Sequence, residues 1–295
     1  MAEPETESSE RDHGELIMAR KLEAGNPLYD SMAWFPIPHV ERRSLGYRAL
    51  KRQIKLNLIA FADKYLNLYT PVADLGQPIA LIRRLGLDCR GVIHVGANTG
   101  QEMESYRFAG LESVVYIEPI PDVFMKLQRR IAGDSRHHAI KALCTEREGD
   151  DVDFYIASND GQSSSIFEFG SHAEQHPDVT YQSKLRLQTT TLDHIIFDTP
   201  GIQPELLDCL VLDVQGAEAN VLIGGERTLA LCQFVFTEIS EGGVYKGDVP
   251  FEEIIAMLKV HGFSLKCLDI NRHGWGNAFF VKANPSRDFR PTRVG

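Results

Sequence analysis

The 295-residue chain contains 43% hydrophobic and 24% charged residues, an ordinary globular composition that excludes a fibrous or wholly disordered protein. Its formal net charge of −10 argues against a nucleic-acid partner, because binding to phosphates depends on clustered Lys and Arg. The five cysteines are odd in number and widely spaced, which favours neither a disulfide framework nor a zinc site and indicates a reducing, cytoplasmic location.

The N-terminal part of the chain divides into two predicted segments. Residues 1–15 are polar and acidic, which predicts a disordered tail, and they lack the basic start and apolar run of a secretory signal. Apolar residues then recur at helical spacing, which predicts a helical extension over residues 16–90. Asp63 and Lys64 interrupt its most apolar stretch, so we expect no membrane span.

After Gly91, short β-branched runs alternate with amphipathic stretches, the pattern of a parallel βαβ sheet. We predict an α/β fold of Rossmann-like type, with a mostly parallel twisted sheet and a terminal antiparallel hairpin. The main domain should cover residues 91–285, with an inserted cap at about 145–205, and residues 286–295 should form a C-terminal tail. Strands are predicted over 92–95, 113–118, 138–144, 207–214 and 233–239, and helices over 101–109, 121–131, 217–222 and 251–261.

A glycine-containing turn follows the first predicted strand, in VIHVGANTG. Gly96 and Gly100 allow a ligand to approach the backbone, and Asn98 tolerates left-handed geometry. Glu118 ends the second strand, where a carboxylate can accept hydrogen bonds from both hydroxyls of a ribose. The Gly-x-x-x-Gly spacing differs from the G-x-G-x-x-G turn of dinucleotide enzymes, so it favours S-adenosyl-L-methionine over NAD.

At this point the chain resembles the FkbM family of methyltransferases over about residues 91–283. The resemblance lies in VIHVGANTGQE, VVYIEPIP, SSS, TTTLD, LVLDVQGAE, FVFTEIS, LKVHGF and NAFFVK. It implies a methyltransferase fold and an S-adenosylmethionine-dependent O-methyltransferase, with many family members acting on sugars. It also implies that the glycine loop, including Thr99, and Glu118 hold the cofactor. His94 stands where many relatives have Asp, and we expect it to contact the cofactor as well.

Two carboxylates are candidates for the catalytic residues. Asp213 follows a buried-looking strand, and Glu238 ends the next one, so both should reach the carboxyl edge of the sheet. An alcohol loses its proton as it attacks a methyl group, and a carboxylate can act as the general base. The alternatives are a helix N-cap for Asp213, a solvated strand end for Glu238 and a buried core residue for His94. Glu218 is expected to have a structural role.

Ser164 and Ser165 lie in a polar loop, and His273 lies in the final hairpin; all three are candidates for binding the substrate. A plain solvent-exposed loop is the alternative for the serines. The expected partner is a small-molecule or glycan acceptor. We predict no dedicated metal site, although a divalent ion between the two carboxylates is left open.

Two other functions are open at this stage. The first is a catalytically inactive adenosyl-binding module that regulates or assembles with a partner, favoured by the His at position 94. The second is an NAD-dependent oxidoreductase, disfavoured by the glycine spacing. Methyl transfer to any hydroxyl acceptor would exclude the first, and binding of nicotinamide would support the second.

Overall fold

The computed structural model describes residues 70–71, 75–271 and 273–282. The predicted acidic tail, the C-terminal tail and most of the predicted N-terminal helical extension lie outside these residues. Their proposed boundaries therefore stay predictions.

The described elements alternate between strands and helices. The strands are β1 (Thr70–Pro71), β2 (Gly91–Val95), β3 (Ser113–Ile117), β4 (His137–Ile140), β5 (Leu143–Cys144), β6 (Asp151–Ala157), β7 (Tyr181–Thr190), β8 (Cys209–Leu212), β9 (Phe234–Ser240), β10 (Phe263–Ile270) and β11 (Trp275–Lys282). The α-helices are α1 (Pro78–Arg84), α2 (Met103–Ala109), α3 (Pro121–Ile131), α4 (His172–Gln175), α5 (Leu192–Asp198), α6 (Glu218–Ile223), α7 (Glu226–Leu231) and α8 (Phe251–Val260).

Eight strands form the main sheet, in the order β1-β10-β11-β9-β8-β2-β3-β4. Neighbouring strands are parallel except at β11, which runs antiparallel to both β9 and β10. The predicted α/β architecture with a terminal antiparallel hairpin is confirmed. The two-residue strand β1 and the helix α7 were not predicted.

Apolar layers cover both faces of this sheet. Ile93 and Val95 face a cluster that includes residues of α5, α6 and α8, whereas Val92 faces a cluster with α1 and α2. Every residue of β2 is buried, as expected for a central parallel strand with helices on both sides. This packing fixes the direction in which each strand end points.

The strand order reverses around β2, because β3 lies on one side of it and β8 on the other. Ligands of open α/β sheets bind at such a switch point, beyond the carboxyl ends of the strands. We therefore expect a ligand-binding site at the residues that follow Val95 and Leu212.

The prediction of one strand over residues 138–144 was wrong. The segment divides into β4, which pairs with β3, and β5, which pairs with β7 in a separate three-stranded sheet. The chain leaves the main sheet after Ile140 because Leu143 packs instead against Ile120 and Phe154. Strands β6 and β7 of the three-stranded sheet lie within the predicted insertion at about 145–205, and β5 directly precedes it. In the described part of the chain, no helix has the length and apolar character needed to cross a bilayer.

Candidate active site

A cavity of about 400 Å³ lies at the switch point of the sheet. Its walls come from the loop after β2, the end of β3, the loop after β8, the end of β9 and the inserted loop between β6 and β7. Of the predicted site residues, His94, Gly96, Asn98, Glu118, Ser164, Asp213 and Glu238 line it. Thr99, Gly100, Ser165 and His273 do not.

The loop after β2 has a left-handed conformation at two lining residues, Gly96 with φ 80° and Asn98 with φ 45°. A Cβ atom at Gly96 would stand 1.8 Å from the carbonyl oxygen of Asp213, so only glycine fits there. The Asn98 side chain stabilises the turn, since its Oδ1 accepts a hydrogen bond from the Thr99 amide at 2.7 Å. The loop after β2 and the loop after β8 are thus in direct backbone contact.

Glu118 is a buried carboxylate at the end of β3. Its Oε2 accepts a hydrogen bond from the Asn98 amide at 2.9 Å, and its Oε1 accepts one from the Ile120 amide at 2.8 Å. Burial raises its pKa to about 7, although the two backbone amides favour the charged form. Each oxygen keeps one further lone pair, so the carboxylate can still accept hydrogen bonds from a bound ligand.

His94 lies in the middle of the sheet with its ring against α2. Its Nδ1 is 3.1 Å from the hydroxyl oxygen of Tyr106, which is itself fully buried. Burial lowers the pKa of His94, and the carboxylates of Glu102 and Asp213 oppose that shift only partly. A neutral His94 whose Nδ1 accepts the Tyr106 hydroxyl proton presents Nε2–H as a donor.

The structure brings Asp213 and Glu238 together through a third residue, Gln215. Gln215 Nε2 donates hydrogen bonds to Asp213 Oδ1 at 2.5 Å and to Glu238 Oε2 at 2.7 Å. Asp213 follows β8 and Glu238 lies near the end of β9, and these strands are adjacent and parallel. The two carboxylates therefore meet at one edge of the sheet, as predicted.

This carboxylate pair holds its protons more tightly than free carboxyl groups do. Enclosure by the cavity wall raises the pKa of Asp213, and the hydrogen bond from Gln215 and the nearby His94 oppose the shift. Enclosure together with the charge of Asp213 raises the pKa of Glu238 well above its ordinary value. Two adjacent carboxylates cannot both ionise freely, so Glu238 is the member that holds a proton more tightly and Asp213 is the member that ionises first.

Glu218 has the structural position that the sequence suggested. Its Oε1 accepts hydrogen bonds from the amides of Val214 and Gly216, at 3.2 and 3.3 Å. The side chain is buried, and burial raises its pKa to about 7. Glu218 thereby fixes the loop that carries Asp213.

Two of the predicted substrate-binding residues lie elsewhere. Ser165 is fully buried, and its hydroxyl donates to the carbonyl oxygen of Gln215 at 2.7 Å, so it holds two loops together. His273 is exposed on the hairpin, and its neighbour Trp275 lines the cavity instead. Ser164 lines the cavity, but its Oγ already accepts a hydrogen bond from the Ala157 amide.

Gln215, Tyr245 and His172 are among the lining residues that were not selected from the sequence. The Tyr245 hydroxyl donates to Gln215 Oε1 at 2.6 Å. No sequence pattern places Tyr245 or His172 near strand ends, because each is carried there by a long loop. Gln215 had a detectable signal, since it lies between two selected residues in LDVQGAE.

Metal binding receives no support from the geometry. Within residues 75–271 and 273–282, no group of three or more His, Cys, Asp or Glu side chains is placed to hold an ion. The carboxylate pair has Gln215 Nε2, a donor, between its two members.

A switch-point cavity with a glycine turn, an acidic second strand end and this strand order defines a Rossmann-like S-adenosylmethionine-dependent methyltransferase. The sequence model of the methyltransferase FkbM domain matches residues 94–265. The chain belongs to the FkbM methyltransferase family, which confirms the resemblance found in the sequence.

The chain is also similar to 2-O-methyltransferase NoeI of Sinorhizobium fredii (strain NBRC 101917 / NGR234). The two are 27% identical over 176 residues, which cover 57% of this chain and 70% of that protein. Among solved structures, it is similar to magnesium protoporphyrin IX methyltransferase (ChlM) from Synechocystis PCC 6803 with bound SAM, with 10% identity, 90% and 96% coverage of the two chains and a TM-score of 0.37. A further similar structure is 1,6-didemethyltoxoflavin-N1-methyltransferase of Burkholderia thailandensis, with 12% identity, 84% and 94% coverage and a TM-score of 0.37.

Proposed function

We propose that the chain transfers a methyl group from S-adenosylmethionine to a hydroxyl oxygen of a sugar or sugar-like acceptor. The observation that carries this proposal is the pair of carboxylates, Asp213 and Glu238, that shares the Gln215 amide inside the cavity. The name of the relative, a 2-O-methyltransferase, supports an oxygen acceptor.

The residues of the cavity fit S-adenosylmethionine. The turn at Gly96 and Asn98 brings backbone next to the cavity, and Glu118 offers carboxylate oxygens for ribose hydroxyls. His94 offers a ring N–H in place of the carboxylate of many relatives. When bound, S-adenosylmethionine supplies an electrophilic methyl group on a sulfonium.

Asp213 and Glu238 would act on the acceptor. The charged Asp213 accepts the proton that the attacking hydroxyl loses, and the protonated Glu238 donates a hydrogen bond that orients the acceptor. A positioned general base of this kind contributes roughly 10²–10⁴-fold to the rate. Alignment of the acceptor oxygen with the methyl–sulfur axis contributes a further large part of the rate enhancement.

The outer part of the cavity suits a sugar ring. Trp275 and the exposed His176 both line it, with ring centroids 6.4 Å apart in an edge-to-face arrangement. Such rings can cover the apolar C–H face of a sugar, while Tyr245 and the carboxylate pair contact its hydroxyls. The acceptor class rests on this chemistry together with the family resemblance.

The test has two stages. First, S-adenosylhomocysteine should raise the melting temperature of the purified protein and NAD should not, because only a ligand of the native state stabilises it. Second, incubation with methyl-labelled S-adenosylmethionine and a panel of free and glycosidic sugars should yield a product heavier by one methylene group. Binding of S-adenosylhomocysteine without transfer to any hydroxyl acceptor would favour the inactive adenosyl-binding module.

A further inference from the structure

Gln215, which bridges the two carboxylates, has an unusual backbone conformation. Its φ is 56°, in the left-handed region that is unfavourable for a non-glycine residue. Ser165 compensates by donating its hydroxyl to the Gln215 carbonyl oxygen at 2.7 Å. The inserted loop therefore holds Gln215 in the conformation that sends its side chain into the cavity.

The orientation of the Gln215 amide is set by its partners. An ionised carboxylate only accepts hydrogen bonds, so the Nε2 group faces Asp213, and Glu238 Oε2 accepts a second hydrogen bond from the same Nε2. On the other side, the Tyr245 hydroxyl donates to Oε1 at 2.6 Å. Without this donor, the amide could rotate by half a turn and place its oxygen against the carboxylate pair.

The inserted loop packs beside Tyr245. The ring centroids of His172 and Tyr245 are 5.5 Å apart, and Ser163 Oγ accepts a hydrogen bond from Asn159 Nδ2 at 2.9 Å. His172 Nε2 is 3.2 Å from the same Oγ. His172 Nδ1 is buried without a hydrogen-bond partner, which suits a bare acceptor nitrogen and places the ring proton on Nε2.

The donors that lead to the carboxylate pair point the same way. Tyr245 donates to Gln215, and Gln215 donates to both carboxylates of the pair. Hydrogen bonds aligned in one direction polarise one another and favour negative charge at the accepting end. We name this chain, from Tyr245 through Gln215, the donor chain.

We propose that Tyr245 and Gln215 are positioning residues, which hold the Asp213–Glu238 pair in its reactive arrangement through the donor chain. This proposal rests on the proposed function, in which the pair acts on a hydroxyl acceptor. Other titratable groups that face the pair are His94, Glu102, Glu118 and Glu218. None of these four belongs to the donor chain, so removing the Tyr245 hydroxyl leaves them in place.

The test compares Tyr245→Phe with Tyr181→Phe. Tyr181 is the first residue of β7, and its hydroxyl donates to the Phe167 carbonyl oxygen at 2.8 Å, outside the donor chain. Infrared titration follows the protonated carboxyl band of the pair, assigned by its loss in Glu238→Gln. In Tyr245→Phe the band should persist to a pH higher by about 0.5–1 unit, the equivalent of one lost hydrogen bond between neutral groups. Tyr181→Phe should titrate as the wild type does.

Unchanged titration in a folded Tyr245→Phe protein would overturn the proposal. The infrared readout requires no acceptor, so it separates the two hypotheses. A shifted band without methyl transfer would contradict the proposed function alone, and methyl transfer with an unshifted band would contradict the donor chain alone.

Discussion

Gly96 and Asp213 contact each other through their backbones, and this contact joins the proposed cofactor loop to the proposed catalytic loop. A Cβ atom at Gly96 would lie 1.8 Å from the Asp213 carbonyl oxygen and 2.7 Å from its carbonyl carbon. Because both neighbouring atoms belong to the backbone, they cannot rotate away as a side chain could. Any side chain at position 96 must displace the loop that carries Asp213.

We therefore expect Gly96→Ala to lower both the melting temperature and the affinity for S-adenosylhomocysteine. The matched control is Gly110→Ala, which has a similar φ of 68° and no atom within 4 Å of the added Cβ. Gly110→Ala should be destabilised only by its left-handed backbone, by roughly 1–2 kcal/mol, and it should bind S-adenosylhomocysteine as the wild type does. Thermal melts and calorimetric titration of both proteins check this. Equal effects at the two positions would mean that the contact with Asp213 has no role.

The affinity for S-adenosylhomocysteine should depend on the protonation of Glu118. Its pKa of about 7 means that much of the unliganded protein carries a neutral Glu118 at pH 6. Ribose hydroxyls donate best to the charged carboxylate, so affinity should increase as pH rises from 6 to 8. Glu118→Gln should flatten this dependence and weaken binding at pH 8 by roughly 1–3 kcal/mol.

The exposed Glu112 offers the control for that measurement, since Glu112→Gln removes a carboxyl group outside the cavity. Calorimetric titrations at several pH values would compare the three proteins. A Glu118→Gln variant that keeps both the affinity and the pH dependence of the wild type would place the ribose elsewhere.

Glu218 should affect stability and its pH dependence. The folded protein holds the Glu218 proton with a pKa of about 7, above the ordinary value of 4.5, so it binds more protons than the unfolded chain between these values. The contribution of Glu218 to the free energy of unfolding therefore decreases as pH rises from about 5 to 7. Glu218→Gln, which keeps an accepting oxygen, should reduce this decrease.

Glu218→Ala should instead leave the amides of Val214 and Gly216 without an acceptor, at a cost of roughly 1–3 kcal/mol. Urea denaturation at pH 5 and pH 7.5 measures both effects. Glu226→Ala is the control, because Glu226 is an exposed first-turn residue of the next helix. A Glu218→Ala protein as stable as this control would contradict the capping role.

The sequence allowed prediction of those site residues that sit at strand ends. Glu118, Asp213 and Glu238 follow buried runs, and the carboxyl ends of parallel strands meet at one edge, so their convergence follows from topology. Tyr245 and His172 could not be found in this way, because long-range loop packing brings them to the cavity. The same limitation explains why the position of Ser165 was not predicted. Its hydroxyl donates a hydrogen bond to the Gln215 carbonyl oxygen and does not face the cavity.

The local sequence pattern also could not predict that residues 138–144 divide between two sheets. Both pieces have strand character, and only the contact of Leu143 with Ile120 and Phe154 decides that the chain changes sheets. Such contacts join residues that are distant in sequence. Periodicity within a short window contains no information about them.

Asp213→Asn separates a catalytic role of this residue from a structural one. Asn keeps an oxygen that can accept the hydrogen bond from Gln215 Nε2, and it caps a helix about as well as Asp. It removes the charge that would accept the proton of the acceptor hydroxyl. We expect the variant to keep its melting temperature and its affinity for S-adenosylhomocysteine, while methyl transfer falls about 10²-fold or more.

Glu238→Gln provides the comparison within the carboxylate pair. Because Glu238 is the member of the pair that holds its proton more tightly, a neutral amide should replace it with a smaller loss of rate than Asp213→Asn causes. The neighbouring Glu238 carboxyl lowers the pKa of Asp213, so its replacement should shift the low-pH limit of methyl transfer to a higher pH than in the wild type. Rate measurements across pH 5–9, with thermal melts on the same preparations, check both variants. Near-normal turnover in a folded Asp213→Asn protein would exclude Asp213 as the base, and a larger loss in Glu238→Gln would assign that role to Glu238.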